Sequence, residues 1–260
     1  HSRNFPRNSA PAIALGTHLI RLREENAIVG VFPADHVVTR PASFLACVKN
    51  AFRAAERDAL VVVGIQPRWA ETGYGYLEFP KGVTPGEKSA YRIQSFREKP
   101  DRATAARYLK AGRYYWNSGM FFWKASVFLD ALNLHLPKTA LHIASIGSLG
   151  SASFERDLAE HFPLCEGISV DYAVMEKAAN VMGIAAPDFG WNDVGSWQAV
   201  YELSPKDANA NAVRGGADVV ALDSKGNYVD AGEKLVALLG VEDLVIVDTG
   251  DALLVTRREE

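Results

Sequence analysis

The sequence predicts an α/β protein in which helices cover a mixed, mostly parallel sheet and a small β-rich appendage follows. Three observations predict it. Strand-like apolar runs alternate with helix-like stretches as far as residue 205. Glycine, proline and charged residues punctuate nearly every change from one kind of run to the other. After Tyr201-Glu-Leu-Ser-Pro205 the texture shifts to short apolar runs divided by turn signals. The predicted division is a core over residues 1–205 and a β-rich domain over 206–260.

Taken in order, Ser9-Ala-Pro-Ala-Ile13 reads as a helix start with a hydroxyl cap and an early proline. Ile13, Leu15, Leu19, Ile20 and Leu22 carry that helix to the charged run 21–25. The apolar run before Phe32-Pro-Ala-Asp35 reads as a buried parallel strand with the acid beyond its C-terminal tip. A helix is predicted over about 41–57 and a strand over Ala59–Ile65. Gly73–Phe79 and Tyr91–Phe96 read as a strand pair across a Pro/Gly/Lys-rich connection. A short helix at 104–110 leads to an aromatic strand, Tyr114–Trp123, interrupted at Asn117–Gly119. Residues 126–179 read as mostly helical, broken at Pro137, at 145–151 and at Pro163, and Val181–Ala186 closes the core as a strand. In the tail, Asp218–Leu222, Leu235–Leu239 and Leu244–Val247 hint at a coil, in too few turns to assert a solenoid.

Composition excludes several classes. At 260 residues, 48% hydrophobic and 23% charged, the chain can bury a real core. A formal net charge of −3 gives no support for a nucleic-acid polymer as partner. No apolar run approaches the ~20 residues that cross a bilayer, and no leader pattern is present, so the expected setting is cytoplasmic and off the membrane. Cys47 and Cys165, in helix-like segments without CxxC spacing, are expected to be reduced, and the six histidines show no zinc-like spacing.

The most informative segment is Gly190-Trp-Asn-Asp-Val-Gly-Ser-Trp197, which sets Asp193 between two glycines and two tryptophans. An acid walled by indoles is costly unless it meets a cation. Asp35 is the matching acid, since ligands in open α/β sheets sit beyond the carboxyl ends of strands. Two carboxylates completed by phosphate oxygens and water suit Mg²⁺. Taken singly, either acid could as well be a cap or a turn residue; taken together, the metal reading is preferred.

Between these acids lie further polar groups. Arg97-Glu-Lys-Pro100 is either a solvated strand end or a site where Glu98 accepts from sugar hydroxyls and Lys99 meets a phosphate. On an extended segment the two side chains should point to opposite sides. Gly75, in Gly73-Tyr-Gly-Tyr76, would bring a backbone amide to a ligand or merely kink an edge strand. Asn117 needs a partner for its amide among aromatic neighbours. Glycine-flanked serine elbows, Cys/His pairs and zinc motifs are missing, so covalent nucleophilic catalysis and zinc hydrolysis are unsupported.

Seven motifs in order, Arg7-Asn-Ser-Ala-Pro-Ala-Ile13, Phe32-Pro-Ala-Asp-His36, Thr72-Gly-Tyr-Gly-Tyr76, Phe96-Arg-Glu-Lys-Pro100, Trp116-Asn-Ser-Gly-Met-Phe121, Ser169-Val-Asp-Tyr-Ala-Val-Met-Glu176 and Gly190–Trp197, resemble the mannose-1-phosphate guanylyltransferases over nearly the whole chain. The resemblance implies a Rossmann-like nucleotide-sugar pyrophosphorylase core and formation of GDP-mannose and pyrophosphate from GTP and mannose 1-phosphate. It implies Asp35 and Asp193 as Mg²⁺ ligands and Lys99 at the sugar phosphate. Glu98, Asn117 and the Gly75 backbone would meet mannose, Arg7–Asn8 the guanine, and Asp171 would lie close to the sugar. The family's glycine-rich triphosphate loop has no counterpart in residues 1–260, and the expectation is that the parent protein carries it ahead of His1. A catalytically silent relative that binds sugar nucleotides, or a pyrophosphorylase for another hexose 1-phosphate, is the alternative. The tail and exposed aromatics could serve a homodimer.

Overall fold

The computed structural model describes residues 7–258. In chain order its elements are α1 (Ser9–Arg21), β1 (Ile28–Val31), β2 (Val37–Val38), α2 (Pro41–Ala55), β3 (Leu60–Ile65), β4 (Tyr76–Glu78), β5 (Ala90–Arg92), β6 (Ser95–Arg97), α3 (Arg102–Ala111), β7 (Tyr114–Lys124), α4 (Ala125–His135), α5 (Pro137–Ala144) and α6 (Phe154–His161). There follow β8 (Val181–Ala185), β9 (Trp191–Asn192), α7 (Trp197–Leu203), β10 (Ala212–Arg214), β11 (Asp218–Leu222), β12 (Tyr228–Asp230), β13 (Leu235–Leu239), β14 (Leu244–Asp248) and β15 (Leu253–Arg257). They group into two compact units. The first takes the chain as far as Ala34 together with Thr39–Phe189; the second takes Asp35–Val38 together with everything from Gly190 onward.

In the first unit seven strands form one mixed sheet in the order β5-β8-β3-β7-β4-β6, with β1 also on β7. By their pairings β1, β3, β4 and β8 share a direction, which β5, β6 and β7 oppose. The shared direction does not make neighbours parallel: β3 and β8 are the one parallel pair, because β7 intervenes between the others. The strand ahead of Asp35 therefore differs from expectation, since β1 pairs antiparallel with β7 and only Val29 in it is buried. The expected pair of Gly73–Phe79 with Tyr91–Phe96 also divides. β4 pairs with β6, whereas β5 leaves to pair with β8.

β7 is the spine of this sheet, and its length comes from composition. Nine of its eleven residues, all but Ser118 and Gly119, carry long or aromatic side chains or an amide, which suit a pleated surface flanked on both sides. One edge lies along β3, and the other takes β4 on its first half and β1 on its second. The expected interruption appears as a bulge inside a continuous strand. Gly119 has φ 69°, and the β3–β7 register shifts between Val62 and Gly64. Leu60, Val62, Leu77, Phe79, Tyr115, Phe121 and Trp123 are packed with buried residues of α1, α4 and α5 into the main core. Trp123 stacks on Phe128 of α4 with centroids 4.2 Å apart.

Local chemistry sets the helix ends. Asn8, rather than Ser9, caps α1, its Oδ1 accepting from Ser9 N at 2.7 Å, and Ser9 Oγ instead accepts from Val170 N at 3.0 Å. Asp101 caps α3 by accepting from Thr104 N at 2.8 Å, a contact of about 1 kcal/mol in such positions, and Gly112 ends that helix at φ 68°. Cys47 and Cys165 are buried and free, as expected, although Cys165 follows a 3₁₀ turn (Phe162–Leu164) rather than lying in a helix.

In the second unit β2 pairs antiparallel with β9, and Ser196 caps α7. β10, β12 and β14 then stack in parallel, as do β11 and β13, with β15 antiparallel on β14. These are rungs of a coil. Buried Asn227 spans its inside, donating from Nδ2 to Asn211 Oδ1 at 3.0 Å and to Val241 O at 3.1 Å. Among the described residues no helix is long and apolar enough to cross a membrane.

Candidate functional site

The predicted site residues fall into two groups, one in each unit. Gly75, Glu98, Lys99, Asn117 and Asp171 come together in the first. The loop before Gly75 is ordered by Glu71, whose carboxylate accepts from Trp69 Nε1 and Gly73 N, both at 2.9 Å. Beyond it, Gly75 O accepts from Asn117 N at 2.8 Å, and Tyr74 O accepts from Lys99 N at 3.2 Å. These bonds tie three separate motifs into one wall. The Asn117 amide has the partner it needed: Nδ2 donates to Asp171 Oδ1 at 2.9 Å, and its Oδ1 accepts from Gly119 N. Asp171 opens a π-helical turn, Asp171–Met175, a widened geometry common at functional sites.

The carboxylate of Glu98 is the unusual member. Its side chain is 13% exposed, and Oε2 is buried without a hydrogen-bond partner. A Cβ built on Gly75 would overlap Glu98 Oε2 and lie 3.3 Å from Asn117 Cβ, so only glycine fits there without moving the acid. Burial, with Asp171 close by, pushes the Glu98 carboxyl up to about 7 from its ordinary 4.5; Lys99 opposes that shift. Burial raises Asp171 as well, eased by its bond from Asn117. Lys99 has φ 46° although Pro100 follows, a position that favours extended backbone. That turn brings Lys99 Nζ to 3.9 Å from Glu98 Oε1, against the expectation that the two side chains diverge, and leaves the lysine side chain 60% exposed.

A pH signature follows. The unfolded chain loses the Glu98 proton near pH 4.5 and the native chain keeps it to about 7, so this group lowers native stability as pH rises through that window. Glu98→Gln keeps the shape of the protonated acid. It is expected to match wild type near pH 4.5 and to be about 2 kcal/mol more stable at pH 8. Urea unfolding at both pH values measures this; a difference that does not change with pH would sink it.

Arg7 and Asn8 stand at the start of α1, which Ser9 and Ala10 bind to residues 168–170, immediately ahead of Asp171. Arg7 Nε is buried with no hydrogen-bond partner among the described residues, leaving a donor for a ligand. Asn8, at φ 64°, spends its side-chain oxygen on the helix cap.

The second group is the pair of acids. β2 and β9 match Val37 with Asn192 and Val38 with Trp191, and the next step of that antiparallel register sets His36 across from Asp193 with Asp35 adjacent. Asp35 is 86% exposed, and its Oδ1 lies 3.9 Å from His36 Nε2. Sequence reasoning missed His36, although it stands in the Phe-Pro-Ala-Asp-His motif. Its ring is held by Trp191, whose Nε1 donates to Nδ1 at 3.1 Å. Burial lowers the His36 pKa, and Asp35 and Asp193 pull it back up. Asp193 itself is braced from below: its Oδ1 accepts from Gly195 N at 3.1 Å, and a Cβ on Gly195 would come within 2.6 Å of its Oδ2. Val194 between them has φ 57°, a genuine outlier for a β-branched residue. Strain of this kind costs on the order of 1–3 kcal/mol and collects at functional sites. Glu176 is a second residue that sequence reasoning did not assign; its carboxylate accepts from Glu98 N at 3.0 Å. Among the described residues no group of three or more His, Cys, Asp or Glu is placed to hold a metal ion.

The chain belongs to the nucleotidyl transferase family, whose profile matches residues 2–210. Residues 217–260 match the MannoseP isomerase/GMP-like beta-helix domain. Its relatives include the mannose-1-phosphate guanylyltransferase of Escherichia coli, 41% identical over 259 residues that cover 97% of this chain and 54% of that protein. The xanthan biosynthesis protein XanB of Xanthomonas campestris pv. campestris (strain B100) is 42% identical, covering 97% of this chain and 53% of its own length. A crystal structure described as mannose-1-phosphate geranyltransferase from Thermus thermophilus is similar at a TM-score of 0.80 and 34% identity, over 98% of this chain and 72% of that one. The chain spans about half the length of the curated relatives it matches.

Proposed function

We propose that this chain supplies the catalytic core of a mannose-1-phosphate guanylyltransferase, which joins mannose 1-phosphate to GTP and releases GDP-mannose and pyrophosphate. The observation that carries the reading is Glu98 Oε2, a buried acceptor without a partner beside Asn117 and Asp171. A hexose hydroxyl would satisfy it. The names of the relatives support the choice of mannose and guanine, and the free Nε of Arg7 suits a base carbonyl.

In the proposed reaction an oxygen of the sugar phosphate attacks the α-phosphorus of GTP, and the bond to the bridging oxygen breaks so that pyrophosphate leaves with its electron pair. Two anions must meet in line. Lys99 would offset the charge of the incoming phosphate, while Glu98, Asn117 and the Gly75 backbone would fix the sugar. Mg²⁺ held by Asp35 and Asp193 would supply positive charge to the nucleotide phosphates. His36, steadied by Trp191, would orient Asp35. A cytoplasmic location fits the use of GTP.

The test is a product assay on the full-length protein with each nucleoside triphosphate against mannose, glucose and galactose 1-phosphates. The expected result is GDP-mannose, favoured by at least about tenfold in kcat/KM (~1.4 kcal/mol). No turnover with any pair, or a preference for another hexose, would overturn the assignment.

A further inference from the structure

We infer that the first unit carries a second anion site, remote from the sugar wall, built to take a small phosphate ester with several negative charges. The site is a cavity of about 690 Å³ at the edge of the sheet, within the range of small-molecule pockets. Two periodicities build it. Asn50, Arg53, Ala54 and Arg57 recur at helical spacing along one face of α2 and its end. Lys88, Ala90 and Arg92 recur at strand spacing along β5 and its approach. Four cations thus converge from two elements.

Their charge is not answered among the described residues. None of Arg53, Arg57, Lys88 and Arg92 has a carboxylate within ion-pair distance among the described residues. The one acid in the lining, Asp58, is held by Lys124 Nζ at 2.7 Å. Like charges gathered without counterions raise the local potential and favour an anion. The floor is ordered as well: Asn180 Nδ2 donates to Asp58 O at 3.0 Å, and Leu60 N donates to Asn180 O. Ala54, Ala59, Ala90 and Met182 add apolar wall, so the cavity suits an organic phosphate better than a bare phosphate ion.

The position separates this cavity from the sugar wall. It opens beside the first residues of β3 and β8, where Leu60 faces Val181. Asn117 sits against Gly64 near the far end of β3, roughly 13 Å along the strand at ~3.3 Å per residue. The proposal does not depend on the identity of the transferred sugar.

Isothermal titration of the 260-residue chain with inorganic tripolyphosphate in EDTA, joined to hydrogen exchange, tests it. Saturable binding is expected, with added protection at 50–58, 88–92 and 179–182. Arg57→Glu combined with Lys88→Glu should weaken it at least about tenfold without lowering Tm, because both side chains are exposed and leave no partner. Arg92→Ala, a milder change, should weaken it by about threefold if the double variant proves unstable. No saturable binding, affinity unchanged in a folded variant, or protection confined to residues 71–76 and 96–99 would each overturn the proposal; the last would instead assign the phosphate to the sugar wall.

Discussion

Asp193→Asn is expected to lower kcat of the full-length protein by at least about a thousandfold, or ~4 kcal/mol, with a much smaller change in KM for the sugar phosphate. The amide keeps the size of the side chain and its bond from Gly195 N, but a neutral oxygen holds a hard cation poorly. The loss should therefore concentrate in the metal-dependent step. Measured as turnover against Mg²⁺ concentration, the variant should lose its metal response and not merely shift it. Unchanged Mg²⁺-dependent turnover would remove Asp193 from the metal reading altogether. Gly195 offers an internal comparison, since a methyl group there presses on Asp193 Oδ2 without touching its charge.

Gly75→Ala should fail in a different way. Its new methyl would overlap Glu98 Oε2 and crowd Asn117 Cβ, and the tight neighbour on one side is a strand spine that cannot retreat. Glu98 would have to leave the wall. The expected result is a rise of about a hundredfold in KM for mannose 1-phosphate, the scale of one hydrogen bond to a charged group (up to ~3 kcal/mol), with KM for GTP nearly unchanged. Steady-state kinetics varying each substrate in turn separate the two. Equal losses for both substrates would mean that Gly75 serves the fold and not the sugar.

How much of this was legible in the sequence depends on what each residue needed to know. The aromatic spine announced itself, because Tyr114–Trp123 has few ways to be satisfied except as a strand buried from both sides. The pairing of its neighbours did not. Nothing local tells Ala90–Arg92 to join β8 while Ser95–Arg97 joins β4, since three-residue strands owe their partners to packing elsewhere. Likewise the apolar run Ile28–Val31 implied a strand before Asp35 but not its direction, which β7 decides. Asp193 stood out by its glycine and tryptophan setting, and Asp35 by the apolar run ahead of it. The supporting groups did not, as the Trp191–His36 and Glu98–Glu176 hydrogen bonds span 155 and 78 residues. Backbone strain at Val194 and Lys99 was also hidden, because sequence preference argues against it at both positions. The change of texture near residue 205 falls inside the first family match, which runs to 210, and ahead of the second, which begins at 217. Compactness draws its line elsewhere, at Phe189 and Gly190.

That line has a practical meaning for anyone dissecting the gene. The second unit is not one stretch of chain: its four residues Asp35–Val38 are encoded far upstream, ahead of α2. A fragment begun at Gly190 would present β9 with no strand to pair and would lack Asp35. Transplanting this piece onto another scaffold would succeed only as a discontinuous graft, with the short upstream strand carried along. Insertions are safest away from both junctions, since any shift at residues 34–39 would move an acid as well as a backbone.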